Sequence, residues 1–124
     1  MTVPQYIAEP DKVTFSNNAT VEEYVGRVAT KTDAVSVTIL GSPVGWVEPV
    51  QTPEFDEISL VLTGALLVES GGETFEVGEG QAIVVKAGET IQYSAPKGAR
   101  YLSVCMPAFD LPLTNRADWS TVGG

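Results

Sequence analysis

The stretch that decides the fold is GWVEPVQTPEFDEISLVLTG, residues 45–64. It opens on Gly45, crosses a loop holding Glu48, Gln51, Pro53 and Glu54, and enters an apolar run at Glu57 that reaches a second glycine at Gly64. The segment Glu57 to Val68 (EISLVLTGALLV) reads as two strands meeting at Gly64, or one strand bent there, because glycine inside a strand marks a bulge or sharp bend. Outward from it the grammar stays that of a β protein. Ala34 to Leu40 (AVSVTIL) is β-branched and alternating, and Gly41, Ser42, Pro43 and Gly45 are expected to end it. Ser70-Gly71-Gly72-Glu73 predicts a hairpin, and strands follow at Thr74 to Val77, Gln81 to Val85, Thr90 to Ser94 and Arg100 to Met106, each bounded by a glycine turn or a proline. Val21 to Val28 is compatible with a short helical turn or an edge strand. Short strands with glycine every eight to twelve residues predict a sandwich or small barrel.

A second stretch, GQAIVVKAGETI (80–91), completes the pattern. Together the two resemble the paired motifs of the cupin superfamily. The first runs glycine, five residues, His-x-His, three residues, glutamate, six residues, glycine. The second runs glycine, five residues, proline, one residue, glycine, two residues, histidine. Gly45, Glu57, Gly64, Gly80 and Gly88 are in register, whereas Gln51, Pro53 and Ile91 stand where the histidines belong and Lys86 replaces the proline. The chain contains no histidine at all. The resemblance covers roughly residues 45–110 and implies an all-β, jelly-roll cupin barrel (a double-stranded β-helix), assigned to 34–110; by composition 1–33 reads as an arm packed on it and 111–124, including Trp119, as a polar tail. Within the superfamily, FDEISLVLTGALLV (55–68) and KAGETIQYSAPKGARYLSVCMPA (86–108) are similar to the cupin of ethanolamine-utilization operons. That group also tends to lack the histidines, and its members often carry a longer N-terminal region. It is implicated in ethanolamine breakdown inside bacterial microcompartments, and an acetate kinase activity is ascribed to some members.

Composition narrows the function further. With 124 residues and 44% hydrophobic content, one domain is expected. The formal net charge of −9, with seven scattered basic residues, leaves no stripe to neutralise phosphates, so neither nucleic acid nor an acidic membrane is an expected partner. Met1 to Pro10 lacks the features of a signal peptide and the lone Cys105 has no internal disulfide partner, which makes the cytoplasm the expected location.

The candidate chemistry centres on Glu57. In metal cupins the glutamate at this place points inward and binds the ion, and strand alternation would then send Ser59 and Val61 inward as well. Gln51 offers an amide, a poor transition-metal ligand, and Pro53 and Ile91 offer none. No transition-metal cofactor is expected, only a weak oxygen site for Mg²⁺ at most. Tyr93 shares a strand face with Ile91, and with Gln51 and Glu57 makes a polar cluster for a small organic ligand. Tyr101, Ser103 and Cys105 alternate towards the same cavity, and Trp46 is a candidate wall. Cys105 has no histidine to activate it and reads as a small buried hydrophobe. Asp56 should face away from Glu57. Glu48 and Glu54, in the loop before the strand, could line the entrance but read better as solvated loop acids, and Lys86 or Arg100 read as the cations a phosphoryl-transfer enzyme would use. A homodimer is expected, since Ile58, Leu60 and Leu62 form a second apolar face and the arm can extend a partner's sheet.

Overall fold

The structure is a computed structural model that describes residues 3–116. Its architecture turns on one long strand. β5 (Asp56–Ser70) runs unbroken through Gly64, which adopts φ +78°, and the register against its neighbour slips between Val61 and Thr63. That bulge and bend carry the strand from one sheet into the other. Gly64 is required there on two counts: the left-handed φ, and the carbonyl of Gly98, which occupies the space a Cβ would need. Of the two readings of this segment, the bent strand is the one adopted.

Before the bend, β5 lies between β9 (Ala99–Met106) and β7 (Ala82–Val85). Beyond β9 the same sheet continues through β3 (Ser36–Ser42), β2 (Thr20–Val25) and β1 (Asp11–Thr14), all antiparallel. After the bend, β5 pairs with β6 (Glu73–Gly78) and β8 (Ile91–Ala95), and β8 carries the two-residue β4 (Trp46–Val47) on its far side. Two antiparallel sheets sharing one bent strand make the jelly-roll barrel. The Ser70–Glu73 hairpin closes on Gly71 and Gly72, at φ +59° and +82°, the mirror-image turn that matches strand twist.

The strand expected to stop at Leu40 continues to Ser42. Gly41 is a site of close approach rather than a breaker, for a side chain there would collide with Thr20 on β2. Residues 20–25 settle as a strand, not a helical turn.

The core fills the far end of the barrel. Val61, Leu66, Val68, Val77, Val85, Ile91, Ala95 and Ala99 are buried together, with Tyr93 and Tyr101 at the cluster's upper edge. On β5 the alternation is strict before the bulge: Glu57, Ser59 and Val61 are buried while Asp56, Ile58 and Leu60 are half-buried. The inward row therefore changes along the strand from aliphatic to ionisable, and the ionisable end marks the mouth.

Candidate functional site

Glu57 sits one residue inside β5, 9% exposed, its carboxylate directed into the barrel. Two hydroxyls from the opposing walls hold it. Tyr93 on β8 donates to Oε1 at 2.9 Å, and Ser103 on β9 donates to Oε2 at 2.5 Å. Ser103 is in turn 3.6 Å from the Cys105 thiol on the same face. Burial pushes the Glu57 carboxyl above its ordinary value, and the Ser103, Tyr93 and Cys105 contacts only partly oppose this. The same burial, with Glu57 adjacent, raises both the Tyr93 phenol and the Cys105 thiol, the latter to about 12. Tyr101, also buried, is raised too, so neither phenol nor thiol ionises near neutrality.

Gln51 is buried at the mouth, held by backbone bonds in both directions with Ile91, at 2.9 Å each. Ile91 itself belongs to the core, and Pro53 is fully buried beneath the loop. Gln51, Trp46, Glu57, Tyr93, Tyr101 and Cys105, the residues singled out from the sequence, all line one cavity of about 610 Å³. Leu40, Phe55 and Val21 add apolar wall, and Val13 and Phe15 of the N-terminal segment reach its rim.

Glu48 corrects the sequence reading. It is not a solvated loop acid: its side chain is 14% exposed and lies in the cavity wall. The reason is the short strand β4, which pairs with β8 and draws the loop back across the mouth, so that the Glu48 amide donates to the Tyr93 carbonyl at 3.0 Å. Burial raises the Glu48 carboxyl to about 7, with a smaller contribution from Glu57, against the opposing effects of Arg116 and Gln51. Glu54 does remain exposed, accepting from Asn115 at 3.0 Å.

The cation was also misread. Lys86 pairs with Asp56 at 3.1 Å and Arg100 with Glu22 at 3.3 Å, both away from the cavity. The cavity's cation is Arg116, from the segment read as a polar tail. A 3-10 turn, Leu111–Thr114, runs beside the 52–54 loop, with Thr52 donating to Thr114 and Glu54 to Leu113 through backbone amides. Asn115, left-handed at φ 49°, then turns the chain, and Arg116 Nη2 donates to Glu48 Oε1 at 2.9 Å. Gln51 Nε2 donates to that same oxygen. Nothing in the sequence pattern links residue 116 to residue 48; the one available signal was the αL-tolerant Asn beside an arginine. Trp119 lies outside the described residues.

The positions that carry metal ligands in the motif here offer an amide, a proline ring, an isoleucine and one carboxylate. Those donors do not fit a transition ion, which requires imidazole, thiolate or several carboxylates together. Among the described residues no group of three or more histidine, cysteine, aspartate or glutamate side chains is placed to hold an ion.

A bent strand shared by two sheets, with a site at the glycine-motif end, defines a cupin. A solved cupin superfamily protein from Desulfitobacterium hafniense has the same fold, at TM-score 0.66 and 12% identity over 76% of this chain and 82% of that one. Within that class, residues 48–110 match the family model described as ethanolamine utilisation protein EutQ, and the chain belongs to this family. Two curated relatives are similar to it. One is named endoribonuclease YbeY, from Myxococcus xanthus, 43% identical over 91 residues that make up 72% of this chain and 31% of that protein. The other is named acetate kinase EutQ, from Salmonella typhimurium, 37% identical over 57 residues, or 46% of this chain and 25% of that protein. The chain thus spans about a third or less of the curated relatives it matches.

Proposed function

We propose that this cupin binds a small organic molecule in its barrel mouth and that Glu57 exchanges a proton with it, without a transition metal. One observation carries the reading: a buried carboxylate, held by two hydroxyl donors and raised by burial above its ordinary value, faces a cavity of about 610 Å³ whose other walls are largely apolar. That volume suits a small metabolite. A carboxyl group lifted towards working pH is the form that gives and takes protons effectively. Gln51 and Tyr93 supply the neutral polar contacts that orient the ligand, Trp46 and Tyr101 the walls, and Cys105 a buried, unreactive filler.

The test is a carboxyl NMR titration of the wild type and Glu57→Gln, paired with native mass spectrometry of freshly isolated, tag-free protein. A Glu57 carboxyl titrating above the ordinary glutamate range, and a retained metabolite, are expected. A carboxyl titrating below that range would end the proton-exchange reading, and stoichiometric zinc, iron, copper or nickel would end the metal-free one.

A second reading, phosphoryl transfer from an acyl phosphate with Mg²⁺, is favoured by the name of the Salmonella relative and by Arg116 beside two carboxylates. It is the weaker, because Arg116 already holds Glu48 Oε1, and Tyr93 and Ser103 already hold the two oxygens of Glu57. A rise in melting temperature with Mg²⁺ and nucleotide, absent with either alone, would reverse that ranking. The same proposal includes a homodimer, supported by exposed Leu62, Val84 and Met106 on the outer wall, which light scattering at the mass of two chains would confirm. It also includes a cytoplasmic setting; no helix among the described residues is long and apolar enough to cross a membrane.

A further inference from the structure

We propose that the mouth recognises its ligand through a carboxylate group, with Arg116 as the anchor and Glu48 as the internal carboxylate that the ligand displaces. This rests on the small-molecule reading above and names the ligand class.

The geometry starts from a guanidinium with too few partners. Arg116 is 16% exposed and bonds Glu48 through Nη2, while its Nε is buried with no acceptor among the described residues. A guanidinium presents N–H groups as a planar fork that suits two carboxylate oxygens at once. Here a single oxygen, Glu48 Oε1, serves both Arg116 and Gln51. Glu48 is therefore a one-point partner where a two-point partner fits. It is also one that gives up its charge readily, with its carboxyl near 7.

Beyond Glu48, the further carboxylate that Arg116 faces is Glu57, which lies outside ion-pair distance. Glu57 on β5, Tyr93 on β8, and Tyr101 and Cys105 on β9 are the other titratable groups of the cavity, and burial favours the neutral form of each. β2 and β3 face the cavity with Thr20, Val21, Thr38, Leu40, Gly41 and Ser42, none of them titratable. When Glu48 is protonated, Arg116 loses its ion-pair partner, within a chain of net charge −9. The outward cations Lys86, Arg100 and Arg27 are each beside an acid, Asp56, Glu22 and Asp110. The adjoining walls of Leu40, Trp46 and Phe55 suit an apolar body, so the class is a small monocarboxylic acid with an aliphatic or aromatic body.

Benzoate is the probe, benzamide its uncharged isostere and inorganic phosphate the bare anion, each titrated calorimetrically into the full chain. Benzoate should bind at least about tenfold more tightly than benzamide, reflecting a charge-assisted, two-point contact. Since only protein with Glu48 protonated has Arg116 free, and benzoate stays ionised throughout, its affinity should fall about tenfold between about pH 6 and about pH 8. Glu48→Gln should remove that pH dependence, and Arg116→Met should abolish benzoate binding. Equal affinity for benzamide, tighter binding of phosphate than of benzoate, or unchanged benzoate affinity in Arg116→Met overturns the proposal. Should Arg116→Met fail to fold, the wild-type profile decides: pH-independent affinity overturns it. The proton-exchange reading is tested separately by the Glu57 carboxyl titration described above, so either reading can fail alone.

Discussion

The inner and outer walls of β5 treat acids in opposite ways, and the contrast is sharpest at two consecutive residues. Asp56 faces out, accepts from the Ala87 amide at 2.9 Å and from Lys86 at 3.1 Å, and its carboxyl is held below the ordinary aspartate value, chiefly by the amide. Glu57 faces in, accepts from two hydroxyls, and its carboxyl is raised. Both acids accept two hydrogen bonds, so the count of partners does not explain the difference. Burial does: on the inner wall the loss of water outweighs what neutral donors return, whereas on the outer wall almost nothing is lost.

If the inner wall is a packed core grading into a polar mouth, its deep end should be the most sensitive place in the molecule. Leu66 is fully buried among Val61, Val68 and Val77. Leu66→Ala should cost about 2–5 kcal/mol, read as a lower urea midpoint at unchanged slope. A loss within the scatter of surface substitutions would mean that the barrel's far end is not its core.

At the mouth the comparison becomes one of pH. Glu48 and Glu57 both have raised carboxyl values in the folded chain, so the folded state holds more protons than the unfolded one above the ordinary glutamate value of 4.5. Stability is then fully present below that value and declines as pH rises through the folded values. For Glu48 the window runs from 4.5 to about 7 and the loss is roughly 3 kcal/mol. Urea melts at intervals across that window should show the decline, and a flat or rising profile would contradict the inner-wall assignment. Glu57→Gln keeps acceptor and donor groups for Tyr93 and Ser103 but cannot ionise. It should match the wild type at the acid end and exceed it at the alkaline end, a smaller effect than the whole pH decline.

The barrel was legible because its signals are local. Glycine spacing, period-two alternation and the hairpin at 70–73 each act within a few residues, and alternation alone placed Glu57, Ser59 and Val61 on one face. The mouth was legible only in part, since Tyr93, Tyr101, Ser103 and Cys105 lie on strands whose faces alternation also orders. Glu48 and Arg116 escaped because their burial depends on two non-local events: the pairing of β4 with β8, and the return of the 111–116 segment along the 52–54 loop. A two-residue strand has too little pattern to read, and a loop acid looks solvated until something covers it.

The smallest expected effect belongs to the outer wall and tests the comparison from its other side. Asp56→Asn keeps an acceptor for the Ala87 amide and removes only the charge that Lys86 meets in solvent. Exposed ion pairs of this kind contribute little, and salt screens them. At neutral pH and moderate salt the melting temperature of Asp56→Asn should therefore be close to that of the wild type. Its signature is in the opposite window from that of Glu57→Gln. Because the Asp56 carboxyl is held low, its contribution is present above the unfolded aspartate value of 3.8 and is lost as pH falls below it. The variant should lack that component of acid destabilisation while keeping the full decline between 4.5 and about 7. If Asp56→Asn instead flattened the decline in the higher window, the two neighbours would be electrostatically coupled through the strand, and the division between inner and outer wall would not hold.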